Sequence, residues 1–305
     1  MVNSEFMSPL FKDTILPEYC SKCKNPRTRT EYIGYLRILC DKFAYKDFLD
    51  ITADDARRVV NEMYNRVRDG KLSNKTVCVR LACYSAVAKF IEKEYPELEY
   101  TNPFKDIERP YIEDRVDRYA VPSIEEVDEL LSQAKSQPMY YLIIALSVRA
   151  GLSASQIVRL KKDSIMEHKG HLVVYIQNKT DTRKDKTIIL PEDVSAILRK
   201  YLENLSSIDS EGHIFYNSHH RPLTLKNLDS GISRIVEKAG LERKYTLKDL
   251  RARAVLDLID SGASEEVIHE YVGIGPMRTR QFFDAIGIAR GCPTDLVNFQ
   301  IKVPV

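Results

Sequence analysis

The chain has 305 residues, 44% hydrophobic and 30% charged, with a formal net charge of +2. Such a length suits two domains, and the composition can bury a core and stay soluble. No apolar run approaches the ~18 residues a membrane helix needs and no signal-peptide pattern opens the chain, so no membrane partner is expected and the setting is read as cytoplasmic, nucleoid-associated if the source is prokaryotic.

The opening Met1-Val2-Asn3-Ser4-Glu5-Phe6 precedes a second methionine, Met7, and is given no structural weight. Thereafter the first hundred residues read as helical. Across residues 28–43, Tyr32, Tyr35, Leu36, Leu39 and Phe43 recur at helical spacing. Thr52 is placed to cap a helix running through Val59, Val60 and Met63, with Asp54 and Asp55 in its first turn. Across residues 74–95, Val77, Leu81, Tyr84, Val87, Ala88 and Ile91 repeat the helical pattern. Asn102-Pro103-Phe104 ends the pattern, which sets a first domain of residues 1–105. Residues 106–120, charged and broken by Pro110, are read as a linker.

The second domain, residues 121–305, opens on Ser123 and Glu126, a capping box. Residues 140–149 form an apolar helix. Residues 171–176 and 186–190 are strand candidates, joined by a polar hairpin loop over 177–185. Helices are expected over 191–204, 224–239, 246–261 and 264–272, with a short one over 277–285. No internal repeat stands out.

Cys20, Cys23, Cys40, Cys78, Cys83 and Cys292 are scattered. Cys20-Ser21-Lys22-Cys23 has the gap of a zinc knuckle but no second ligand pair at suitable distance, so reduced thiols are expected and no metal or cofactor. The net charge argues weakly against a strongly electrostatic nucleic-acid binder, although one basic face can coexist with acids elsewhere.

Taken in order, the Tyr32 helix, Ser73-Asn74-Lys75-Thr76, Arg80 and Asn102-Pro103-Phe104 resemble the core-binding domain of the tyrosine recombinases, the phage integrase family. Ala150-Gly151-Leu152-Ser153-Ala154-Ser155-Gln156, the hairpin with Lys179, Leu247-Lys248-Asp249-Leu250-Arg251 and Tyr271-Val272-Gly273 resemble its catalytic domain. The resemblance implies a mainly α fold: a helical, SAM-like core-binding domain, then a helical catalytic-type domain with a small antiparallel sheet. It implies double-stranded DNA as partner, with this chain or a related recombinase as oligomeric partner. It also implies strand exchange by a tyrosine that attacks the scissile phosphate while arginines, histidines and a hairpin lysine neutralise the charge and protonate the leaving oxygen.

Carried over residue by residue, that chemistry is incomplete. Ser153 follows Gly151-Leu152 where the family has its first arginine, and a serine supplies no cation and no bidentate clamp. The nearby acid is Gln156. Arg149, one helical turn earlier, is a conceivable compensation, though a surface or packing arginine is the blander reading. Lys179 is the hairpin lysine, in a loop that also carries Arg183, Lys184 and Lys186. Lys248 and Arg251 match the His-x-x-Arg motif, in which some members accept lysine at the first position. Ile274 stands at the next histidine, and Phe283, about ten residues past Gly273, stands at the nucleophile. Phenylalanine has no oxygen to form a phosphodiester, and no tyrosine follows Tyr271.

Lys75, Thr76, Arg80, Lys179, Arg183, Lys244, Lys248 and Arg251 are therefore the expected DNA contacts, retained in a chain that clamps duplex DNA without cutting it. Its role would be regulatory or architectural, in plasmid, phage or transposon maintenance. Two readings compete: an active recombinase altered from tyrosine to phenylalanine at Phe283, and a protein-interaction module that has also lost DNA binding.

Overall fold

The computed structural model describes residues 4–110, 120–177, 185–205 and 212–286. The chain divides into two compact units, Met1–Glu113 and Asp114–Val305. The architecture is mainly helical with one small antiparallel sheet, as the sequence reading expects.

The first unit holds helices α1 (Leu16–Lys22), α2 (Pro26–Ile38), α3 (Ala53–Arg68) and α4 (Asn74–Glu94), with a π-helical turn over Leu10–Ile15 leading into α1. Their starts are written locally. Asn25 caps α2 by accepting the Arg27 N–H, Thr52 and Asp55 form the capping box of α3, and Ser73 caps α4. The single helix expected over residues 28–43 differs in form. It loosens into π-helical turns over Leu39–Ala44 and stops at Tyr45, whose φ is 53°. That register buries Leu39, Cys40, Phe43 and Ala44 together. Asn102-Pro103-Phe104 does more than end a helix: Asn102 Oδ1 accepts the Phe104 N–H at 2.9 Å, turning the Phe104 ring onto Tyr84 and Phe48. The opening residues also belong to the unit. Ser4 hydrogen-bonds Asp41, the edge of Phe6 meets Tyr45, and Met7 is buried, which corrects the reading that gave them no structural weight.

In the second unit α5 (Ile124–Ala134) begins at the expected Ser123–Glu126 capping box. The central helix α6 (Pro138–Ala150) is mostly buried and ends at Gly151, with φ 63°. After the short α7 (Ala154–Ile157) come β1 (Ile165–His168), β2 (His171–Ile176) and β3 (Lys186–Ile189), paired in that order and antiparallel. β1 has no counterpart in the sequence reading: its four residues show no inward–outward alternation. It pairs with β2 across a tight turn in which Lys169 and Gly170 both take positive φ. Helices α8 (Glu192–Glu203), α9 (Leu225–Lys238), α10 (Leu247–Asp260), α11 (Glu265–Val272) and α12 (Pro276–Ile286) follow. Tyr245, just before α10, donates its hydroxyl to Glu126 of α5 at 2.8 Å, so one capping carboxylate also anchors a distant segment.

The Tyr140 side chain of α6 reaches Gly231 of α9, where an added Cβ would stand 2.1 Å from the Tyr140 hydroxyl oxygen and 2.2 Å from its ring. Tyr140 is largely buried and must shift to make room, so Gly231→Ala is expected to destabilise the second unit by roughly 1–3 kcal/mol through overpacking. Urea unfolding of the full chain, followed by circular dichroism, would show it as a lower midpoint at unchanged slope.

Candidate functional site

Two helix ends meet in the second unit. The αL residue Gly151 closes α6 and Gly273, with φ 73°, closes α11; a Cβ on Gly151 would lie 3.2 Å from Val272 Cγ2. Helix C-termini expose carbonyls that lack intrahelical partners and carry partial negative charge. Here cations from elsewhere meet them. From α10, Arg251 donates Nε to the Gly151 carbonyl at 2.8 Å and Nη2 to the Val272 carbonyl at 2.6 Å. From β3, Lys186 donates Nζ to the Tyr271 carbonyl at 2.8 Å.

These cations are costly to hold. Burial lowers the pKa of Arg251 from its ordinary value. Lys186 falls to about 8, first because burial strips its hydration and then because Arg251 repels it. Among the described residues neither has an ion pair. Arginine has five N–H donors and an ammonium three, and no nitrogen of either side chain is sealed away without a partner. Arg251 Nη1 therefore opens to solvent, and Lys186 is itself only partly buried.

Beside this pair lies an apolar cluster of Val121, Val255, Leu256, Ile259, Ile268, Val272 and Phe282, against which Ile274 and Phe283 pack, both partly buried. Phe282 is the buried member of the adjacent pair and Phe283 the half-exposed one. Position 283 therefore sits at the surface of the cluster without a polar atom, and Ile274 offers only its backbone: its carbonyl meets His269 Nδ1.

Ser153 caps α7. Its hydroxyl donates to Gln156 Oε1 at 2.8 Å, and its N–H does the same, so serine and glutamine hold each other. Arg149 pairs with Asp193 at 2.9 Å on an exposed face. Tyr271 gives its hydroxyl to the Arg149 carbonyl at 3.3 Å, and burial raises its pKa further. Lys248 and Lys244 are exposed, and Lys248, three residues before Arg251 on α10, has no ion pair among the described residues. Lys179 and Arg183 lie outside the described residues.

In the first unit Lys75 is exposed at the start of α4, while the Thr76 hydroxyl shares a hydrogen bond with Ser73 at 2.9 Å. Arg80 lies over the Tyr35 ring at 5.8 Å, its Nε buried without a partner. Cys20 and Cys23 sit at the end of α1, and Cys23 Sγ meets the Tyr19 carbonyl. No group of three or more potential metal ligands gathers among the described residues.

The profile of the phage integrase family matches residues 123–279, just over half the chain. The chain belongs to this family. Tyrosine recombinase XerC of Leptospira interrogans is 23% identical over 290 residues, covering 88% of this chain and 91% of that protein. Tyrosine recombinase XerA of Thermococcus kodakarensis is 28% identical over 168 residues, covering 54% and 57%. Among solved structures, a lambda integrase tetramer bound to a Holliday junction superposes with a TM-score of 0.72 at 18% identity, covering 95% of this chain and 81% of that one. The Tn1549 transposon integrase in complex with transposon right end DNA gives 0.69 at 14% identity, covering 90% and 96%. The fold is that of the tyrosine recombinases.

Within that family fold, Lys186 is the residue the sequence reading underweighted, as one more charge in a basic loop. Lys186-Thr187-Ile188-Ile189-Leu190 does not alternate, so the placement shows only in the folded strand. Ile188 is buried and Thr187 and Ile189 are exposed, so the two-residue strand period turns Lys186 to the same inner face as Ile188.

Proposed function

We propose that this chain binds duplex DNA through its tyrosine recombinase fold and does not cut it, acting as a regulatory or architectural partner on DNA. The observation that carries the proposal is the contrast within one site. Phe283 and Ile274 present carbon where the family's chemistry needs a nucleophile and a polar group, while Arg251 and Lys248 keep positive charge on one side of α10. A phosphate needs only cations and donors; breaking its ester needs an attacking oxygen as well.

Lys248 and Arg251 contact phosphates in this reading, with Lys244 beside them and Lys179 and Arg183 from the hairpin loop. Lys75, Thr76 and Arg80 contribute from the first unit. The exposed Lys75 suits a backbone contact. Several solved relatives of this fold are recombinases bound to DNA as dimers or tetramers. We extend that to this chain, whose oligomeric partner is a second copy or a related recombinase. No described helix is long and apolar enough to cross a membrane, and a DNA-bound protein of this kind belongs in the cytoplasm.

Fluorescence anisotropy of a labelled duplex against the full chain, over a salt series, tests the reading. Affinity should fall linearly on a log–log plot, and Lys248→Ala should reduce the slope by roughly 0.9. A chain that binds no duplex even at low salt would instead be a protein-interaction module.

A further inference from the structure

The geometry points to Lys186 as the second phosphate-binding cation of the site, held beside Arg251 in place of the cation missing at Ser153. The inference rests on the DNA-binding reading and adds a residue, a ligand chemistry and a pH dependence to it.

The placement is built by the fold. Tyr271 and Val272 are the last two residues of α11, and their carbonyls accept from Lys186 and Arg251 respectively. Successive carbonyls thus set the two cations side by side. Gly273 clears the space: a Cβ there would lie 3.1 Å from Lys186 Nζ, and the residue's φ of 73° already disfavours a side chain.

Capping a helix end explains one hydrogen bond of Lys186, but it does not require a second cation next to Arg251. A polar neutral side chain would satisfy the Tyr271 carbonyl without repulsion. Two adjacent cations, with no carboxylate partner for either among the described residues, make a site whose electrostatic deficit is met by an anion. A phosphodiester supplies one negative charge and acceptor oxygens for both.

Among the described residues the groups around Lys186 are few. Arg251 faces it from α10, the Tyr271 carbonyl and Gly273 from the end of α11, and Ile176 lies across from it on β2. Asp185, its neighbour in sequence, accepts a hydrogen bond from Tyr175. A bound phosphate favours the charged ammonium and raises its pKa above the free value of about 8. The contribution of Lys186 to binding is therefore complete below pH 8 and is lost as pH rises through the higher, DNA-bound value.

The test measures binding of a labelled random-sequence duplex to the full chain from pH 7 to 9.5, over a salt series, together with Tm in the absence of DNA. Lys186→Met, which keeps the aliphatic stem, is expected to weaken binding at pH 7 on the order of tenfold and to reduce the salt slope by roughly 0.9. It should also flatten the pH dependence between pH 7 and 9.5, with Tm little changed because removal of a desolvated charge offsets the donor lost by the Tyr271 carbonyl. Lys186→Arg should keep the affinity at pH 7 and lose the pH dependence, since guanidinium does not titrate there. Wild-type affinity and slope in Lys186→Met, with Tm lowered, would overturn the proposal and leave Lys186 as a helix cap, while the DNA-binding reading stands. Absence of duplex binding by the unmodified chain would overturn both.

Discussion

Phe283→Tyr alone is expected to form no detectable covalent adduct with DNA. The substitution restores an attacking oxygen, but into surroundings that oppose its use. Position 283 packs against an apolar cluster, and desolvation raises the pKa of a phenol and disfavours the phenolate that attacks. The charge developing on the phosphate oxygens also meets fewer donors than the family's chemistry supplies. Ile274 has no side-chain donor, and the Ser153 hydroxyl is committed to Gln156. Each missing preorganised donor typically costs ~10²–10³-fold in rate, so two such losses leave the single variant many orders of magnitude below a competent recombinase. The triple change Ser153→Arg, Ile274→His, Phe283→Tyr supplies nucleophile, clamp and polar group together and is expected to exceed the single variant, limited by how the Arg inserts into the α7 cap. Incubation with a nicked suicide duplex and a denaturing gel reads the outcome as a protein-linked DNA band. A strong band from Phe283→Tyr alone would make the chain a recombinase altered at its nucleophile. Arg149, the compensating cation considered from sequence, is held by Asp193, so Arg251 and Lys186 would then be the clamp.

Replacing Arg251 should damage both stability and binding. Arg251→Met keeps an apolar stem and removes donors from the Gly151 and Val272 carbonyls, which end two different helices. Carbonyls left without partners at a partly buried site cost about 1–3 kcal/mol. Relief of the repulsion on Lys186 offsets part of that loss. The net expectation is a fall in Tm of roughly 2–4 °C for each kcal/mol in a unit of this size. Binding to duplex DNA should weaken on the order of 10–100-fold, as for loss of a charge-assisted bond. Arg251→Lys separates the two effects. It restores a charge but one lysine cannot reproduce the fork that spans two carbonyls, so affinity should recover more than Tm. Differential scanning calorimetry and anisotropy on the same preparations would show the split. Unchanged DNA affinity in Arg251→Met would remove the central residue of the proposed interface.

Local sequence determined much of this protein. Helix starts at Thr52, Ser73, Ser123 and Thr246 were legible because a cap is a contact between residues three apart. The family frame was legible because its motifs fall in order along the second unit, and the loss at Phe283 because the absence of a hydroxyl is a property of the residue type. Tertiary structure decided which charges converge. Lys186 reaches a carbonyl 85 positions away and Arg251 one 100 positions away, and no local pattern states that two helix ends will meet there. The same holds for Arg149, whose partner Asp193 lies 44 residues on, and for β1, which is a strand only because β2 supplies its hydrogen bonds. Cap and period are written within a few residues of chain, where one turn or one strand repeat suffices. The pairing of cations with carbonyls is written in the packing of helices α6, α10 and α11 with strand β3, where position depends on every side chain between them.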